Sequence, residues 1–291
     1  NGRKVVITTP CPAVVLYVEK HAPDLVPYLA PIVSPMVALG RAVKERYRPG
    51  AKVVFIGPCT AKKAEIKDDE VADAVDAVLT FQEVTAMLDE AGIDLNELLP
   101  TDFDGPRPGV ARIFPLSGGL LKSAAMQADV LEDDIIVTEG KDNTLQILRE
   151  LSKGELKVRF LDILFCEGCI DGPVHGSTAS LFARRESVTA FVKEELARQQ
   201  DEDVQRTLEE YASVSMERGF SPLAVSKPMP TEEEIRAILK QINKFEKEDE
   251  LNCGACGYET CREKAIAVYQ GMAELEMCLP YLIDKMQENY A

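Results

Sequence analysis

Residues 158–173 read VRFLDILFCEGCIDGP, an apolar run that meets two cysteines and then a Gly-Pro stop. The run Val158–Phe165 reads as a buried strand. Cys166 and Cys169 then leave its carboxyl end with two residues between them. Such a pair can be a disulfide, a redox dithiol, a zinc clip or half of an iron–sulfur site.

The same arrangement recurs on both sides of this stretch. KVVIT (4–8) is a β-branched run followed by TTPCP, which carries Cys11, and KVVFIG (52–57) is followed by Pro58-Cys59. DAVLTF (76–81), ARIFPL (111–116) and DIIVTEG (134–140) read as further strands. LAPIVSPMVALGRAVKERY (29–47), EVTAMLDEAG (83–92) and LQILRELSKG (145–154) carry helical spacing. This alternation predicts an α/β domain with largely parallel pairing. Three cysteine loops would then leave the carboxyl ends of apolar strands, where open α/β sheets gather their ligand sites. The plain alternative is three unrelated buried cysteines.

The bulk of the chain narrows the choice. Its 291 residues are 46% hydrophobic, enough for two domains with a sizeable core. It has 49 acidic and 33 Lys or Arg residues, a net charge of −16 that disfavours nucleic acid. No run reaches the length of a membrane span, and NGRKVVITTP lacks the apolar region of a signal peptide. The expectation is a soluble cytoplasmic protein with no nucleic-acid or membrane partner. An opening Asn in place of Met is expected of a fragment or a processed chain. With eight cysteines and only His21 and His175, cysteine-only metal sites take precedence over disulfides and mixed zinc sites.

Residues 177–218 are helical and highly charged, as in VKEELARQQDEDVQRTLEEYA, and read as a solvated face outside any site. FSPLAVSKPMP (220–230) reads as a linker. Thr231 and Glu234 form a capping box ahead of Ile235, Ile238, Leu239 and Ile242. The expected domains are therefore 1–228 and 229–291. In the second, Cys253, Cys256, Cys261 and Cys278 follow the spacing C-x2-C-x4-C-x16-C. Thr260 and Glu263 form another capping box, which sets Cys261 in the first turn of a helix running through AIAVYQGMAELEM. A helix N-terminus favours a thiolate there. The spacing departs from that of zinc ribbons and points to a four-iron cluster ahead of zinc. The stretch resembles the small four-iron domains of corrinoid iron–sulfur proteins and of some redox sensors.

TTPCPAV, GPCTAKKAE and FCEGCIDGP together resemble the three signature segments of the iron-only (FeFe) hydrogenases, in the same order. The likeness extends to Ser34-Pro35, to DAVLTFQEVTAMLDEAGIDL and to LSGGLLKSA, and covers most of residues 4–173. It implies a two-lobed α/β fold of parallel or mixed sheets with flanking helices, joined to a small, mainly helical iron–sulfur domain. It also implies that Cys11, Cys59, Cys166 and Cys169 hold a four-iron cubane, with Cys169 bridging to a two-iron unit that carries CO and cyanide. Ser34, Pro35 and Lys62 would line that site, and Lys62 would donate to a cyanide. Without the resemblance, Lys62 reads equally as a surface lysine.

This sequence departs from the family in ways that bear on mechanism. Pro10 stands where the family has a proton-relaying cysteine, and Gly57 where catalytic members have a methionine. The third segment is C-x2-C in place of C-x3-C, and DGPVHG replaces a glycine-rich tail. A cysteine-rich ferredoxin segment, which many hydrogenases have, is not expected ahead of residue 1. These features resemble the sensory branch of the family. Glu65, Glu167 and His175 are candidate replacement proton carriers, each with a solvated or capping role as the plainer reading. The first functional expectation is a hydrogenase-family enzyme, slow or hydrogen-sensing, that cleaves hydrogen heterolytically and passes electrons through its clusters. Its partners would be hydrogen and protons, a ferredoxin or signalling module, and maturation proteins. The alternatives are a non-catalytic two-cluster redox or assembly protein lacking the two-iron unit, and a structural zinc protein.

Overall fold

The computed structural model describes residues 5–47, 50–106, 108–126, 135–198, 201–223 and 228–290. The chain divides into two compact units, Asn1–Ala224 and Val225–Ala291.

The first unit opens with β1 (Val6–Ile7), α1 (Pro12–His21), α2 (Pro35–Arg46), β2 (Val54–Ile56), α3 (Lys62–Glu65), β3 (Ala77–Leu79) and α4 (Phe81–Glu90). It continues through α5 (Gly119–Ser123), β4 (Ile135–Glu139), α6 (Lys141–Ser152), β5 (Phe160–Leu164), α7 (Leu181–Arg198) and α8 (Asp201–Glu210). Two parallel sheets organise it. In the first, β5 lies between β1 and β4, with Phe160 opposite both Val6 and Ile135. The second pairs β2 with β3, Val54 opposite Ala77. The α/β architecture with parallel sheets and flanking helices is the one expected.

A strand flanked on both sides reads as a nearly continuous apolar run, and β5 does. Leu161 and Ile163 are wholly buried in a core with Val14, Val15 and Val18 of α1 and Ile147, Leu148 and Leu151 of α6. Burial of one such side chain contributes roughly 1.5–3 kcal/mol. Asp162 interrupts the run. It is buried and accepts a hydrogen bond from Thr8 Oγ1 at 3.1 Å, and burial raises its pKa. The second sheet carries its own core, in which Met36 and Val37 of α2 pack with Val71, Val75 and Val78. Pro35 begins α2 at a position where a missing N–H costs nothing, and Ser34 caps it.

Three expectations are corrected here. Residues 111–116 do not form a strand, because Gly109–Ile113 is a 3-10 helix. Pro115 has no N–H to give a ladder, which disfavours pairing at that point. The helical reading of 29–47 holds only from Pro35, since Leu29 and Ile32 make isolated bridges with Ile7 and Glu217. The expected linker is partly docked. Ser221 N donates to Glu19 Oε1 at 3.2 Å, Leu223 N to the Glu19 carbonyl at 2.8 Å, and Phe220 packs on the first core. Residues 224–227 of that stretch lie outside the described residues.

The second unit is mainly helical, with α9 (Glu232–Gln241), α10 (Cys261–Tyr269) and α11 (Leu279–Tyr290). Both capping boxes form, at Thr231–Glu234 and Thr260–Glu263. Ile235, Leu239, Ile242 and Ala265 pack together with Cys278. The helix from Cys261 ends sooner than expected. Gly271 takes a positive φ of 67°, its N–H reaches the Val268 carbonyl, and the Met272 N–H reaches that of Ala267. This is the hydrogen-bond pattern that closes a helix on a left-handed residue. Among the described residues no helix is long and apolar enough to cross a membrane.

Candidate metal centres

Four of the eight cysteines converge although the sequence scatters them. Cys11 follows β1 and stands at the N-cap of α1, Cys59 follows β2, and Cys166 follows β5. Cys169 is brought round by Gly168, whose φ of 104° few other residues adopt, and its N–H donates to the Pro115 carbonyl at 2.8 Å. Gly172 then lets this loop press against the one after β2, because a Cβ there would meet the Pro58 carbonyl oxygen at 2.6 Å. All four thiols line one cavity of about 580 Å³, and all eight cysteines are free.

The electrostatics of this cavity oppose free thiolates. Burial pushes Cys169 up to about 12, and the charges of Cys11, Cys59 and Cys166 add to the shift while Lys62 opposes it. Burial pushes Cys166 to about 11, with the charges of Cys11, Cys59, Asp171 and Glu167 adding to it, and burial raises Cys11. Sulfurs raised in this way lose their protons together only when a cationic centre replaces them. Among the described residues no three thiol, imidazole or carboxylate groups are close enough to hold a single metal ion. The cavity has room for a multi-atom group, and an all-cysteine donor set is that of an iron–sulfur cluster. The residues present therefore fit one.

Lys62 is buried at the cavity wall. Its Nζ lies 3.3 Å from Glu65 Oε2 and 3.4 Å from Ser34 Oγ, and 5.6 Å from the centre of the Phe55 ring. Ser34 is buried but does not line the cavity, and neither does Pro35. Pro10 and Gly57 do line it. The Phe55 ring covers Gly57, where a Cβ would stand 2.8 Å from Cε1. Glu65 is fully buried between Lys62 and Arg218, so the solvated reading fails for it. Glu167 is exposed, while His175 is half-buried at the wall and accepts from Ser177 N at 3.0 Å.

The start of α7 also reaches the cavity through Arg184, Ser187 and Val188, a correction to its reading as a solvated face. Arg184 pairs with Asp171, two residues beyond Cys169. A run of mixed charges carries no signal of this, because the partner is supplied by a distant loop.

The other four cysteines line a second, much smaller cavity of about 10 Å³. Cys261 opens α10, and its N–H donates to Asn252 Oδ1 at 2.8 Å. Lys264 and Lys244, which sequence reasoning passed over, line the same cavity and are buried. Lys264 Nζ donates to the Glu274 and Leu275 carbonyls at 3.0 and 3.3 Å, which fixes the turn leading into Cys278. Lys244 Nζ donates to the Asp249 carbonyl at 2.7 Å. The position of Lys264 was recoverable, since it lies three residues after Cys261 on one helix face. Two ammonium groups beside four thiols suit an anionic thiolate cluster.

Comparison with known proteins bears on both centres. Residues 1–173 match the family described as iron only hydrogenase large subunit, C-terminal domain, and residues 249–280 match a family described as putative Fe-S cluster. The cytosolic Fe-S cluster assembly factor NAR1 of Kluyveromyces lactis is 32% identical over 157 residues, 50% of this chain and 33% of that protein. The periplasmic [Fe] hydrogenase large subunit of Nitratidesulfovibrio vulgaris is 34% identical over 132 residues, 40% of this chain and 31% of that protein. A variant of the [FeFe]-hydrogenase HydA1 from Chlamydomonas reinhardtii shares the fold with a TM-score of 0.57 at 21% identity, covering 76% of this chain and 77% of that one. The chain spans about a third of the length of the curated relatives named here.

Proposed function

The chain belongs to the iron-only hydrogenase large-subunit family, and from that premise we propose that it is a two-cluster iron–sulfur protein of the redox or cluster-assembly kind, not a hydrogen-turnover enzyme. Cys11, Cys59, Cys166 and Cys169 hold one four-iron cluster, and Cys253, Cys256, Cys261 and Cys278 the other. A four-iron cluster in either place supplies one-electron redox chemistry. The protein's share is to hold the cluster through its thiolates, shield it with Phe55, Ile56 and Phe81, and set its charge environment with Lys62.

The observation that carries this reading is the cavity wall itself. Pro10 sits where a proton would have to be moved and can neither donate nor accept one through a side chain. General acid–base help of that kind is commonly worth about 10²–10⁴ in rate. The Phe55 ring packs over Gly57, the position that carries a methionine in catalytic members. The likeness to a named cluster assembly factor supports the same reading.

One observation favours the hydrogen-active reading with a two-iron unit: Lys62, a cation suited to an anionic ligand, is buried at the wall. The test is a hydrogen-uptake and evolution assay on anaerobically reconstituted protein, before and after treatment with hydrogenase maturation enzymes that activate a control. No turnover in either state is expected. Turnover gained on maturation would move the protein to the hydrogen-active class.

A further inference from the structure

We propose that Arg218, which lies outside the family-matched residues 1–173, is a positioning residue for Lys62: it takes up the charge of Glu65 and so leaves the Lys62 ammonium facing the cavity. The inference rests on the reading of that cavity as a cluster site.

The charges alternate from Lys62 through Glu65 and Arg218 to Asp68, and the first three are buried. Arg218 Nη1 donates to Glu65 Oε1 at 2.9 Å and Nη2 to Asp68 Oδ2 at 2.8 Å. Glu65 Oε2 is 3.3 Å from Lys62 Nζ, so the carboxylate is held more closely by the guanidinium than by the ammonium. The Arg218 side chain is 3% exposed and that of Glu65 is wholly buried, whereas Asp68 reaches solvent. A buried carboxylate facing one cation alone would draw that cation in with both oxygens. The second cation prevents this, and Lys62 keeps its place between Ser34 and the Phe55 ring.

The backbone around Arg218 is fixed independently of the row. Val33 N donates to the Met216 carbonyl at 2.9 Å, and Ile32 bridges Glu217 antiparallel. Arg41 Nη1 donates to the carbonyls of Ser215 and Glu217, each at 2.9 Å. The Arg218 guanidinium lies 4.9 Å from the centre of the Phe220 ring. The guanidinium is thus delivered to Glu65 by a segment that fastens to α2 and to the loop before it, and that runs towards the second unit in sequence.

A residue that only fastened this segment would change stability and nothing else. The experiment is an EPR-monitored redox titration of anaerobically reconstituted protein carrying R218M, R218K, K62M and the R218M/K62M pair, with Tm measured alongside. R218M is expected to move the first cluster's potential in the negative direction, because positive charge has been withdrawn from it. R218K recovers most of the shift, and R218M adds little in the K62M background. The second cluster's potential stays unchanged. A fall in Tm without a shift in potential, or an equal shift with and without Lys62, overturns the proposal. E65Q covers the case in which R218M does not fold: it frees Lys62, so the potential should rise, and an unchanged potential again counts against the idea. A crystal structure of R218M protein separates this from the cluster reading, since it needs no cluster. Lys62 Nζ drawn onto both Glu65 oxygens and away from Ser34 is expected, and an unmoved Lys62 refutes the positioning role. Absence of a first-cluster EPR signal in the unaltered protein would instead refute the cluster reading.

Discussion

Cys253, Cys256, Cys261 and Cys278 reach their small cavity from one continuous stretch, whereas Cys11, Cys59, Cys166 and Cys169 reach a roomy one from three strand ends far apart in sequence. Chain entropy is not what separates the two, since each doubling of a loop adds only about 0.6 kcal/mol to its closure. The difference lies in what must already be folded. In the second unit a capping box and one short core bring the sulfurs together. In the first, β1 must pair with β5 and the second sheet must fold as well before all four distant cysteines meet. The local site is a small pocket whose thiols sit beside Lys244 and Lys264. The distributed one keeps a walled chamber with a buried lysine.

Cysteine variants give the largest test of this contrast. Cys166→Ser should remove the first cluster, about four of eight iron atoms, and leave the second cluster's EPR signal intact. Cys261→Ser should do the reverse. Loss of both clusters from either variant would show that the two sites do not assemble independently. A smaller effect is expected at the chamber wall. Gly57→Met pushes a Cβ into the Phe55 ring, and overpacking of this kind costs about 1–3 kcal/mol. Trimming the ring with Phe55→Ala in the same chain should recover part of that loss in urea unfolding. No cost for Gly57→Met would mean that the ring does not close the wall. The smallest effect belongs to the local site. Thr260 Oγ1 accepts from Glu263 N at 3.0 Å, and Thr260→Ala should destabilise α10 by about 1 kcal/mol. Amide exchange in α10 would report it, with the first unit unaffected.

How legible each region was in sequence follows the same division. Thr231–Glu234, Thr260–Glu263 and the four spaced cysteines are local signals, and the capping boxes form as read. The strands bearing Cys11, Cys59 and Cys166 were legible from their β-branched runs, and the parallel sheets follow from their alternation with helices. Their convergence on one cavity was legible as a tendency of strand ends to share a ligand site and, for all four cysteines together, from the resemblance of the three cysteine segments to the hydrogenase signatures. What escaped was non-local. Arg184 and Arg218 sit in stretches of mixed charge that look solvated until Asp171 and Glu65 are placed beside them. Residues 111–116 have the apolar content of a strand, but the positive φ at Gly109 and the missing N–H of Pro115 turn them elsewhere. Lys62 was legible through the family resemblance alone, because an ammonium in AKKAE is ordinarily exposed and only the fold buries it.

In the proposed function the first cavity holds a four-iron cluster and no two-iron unit. Infrared spectroscopy of anaerobically matured protein, paired with an iron count, tests it most directly. About eight iron atoms per chain, four for each cluster, and no CO or cyanide stretches are expected under conditions that fill a control hydrogenase. Such bands, with iron in excess of eight atoms, would contradict it and make Lys62 the donor to a bound cyanide.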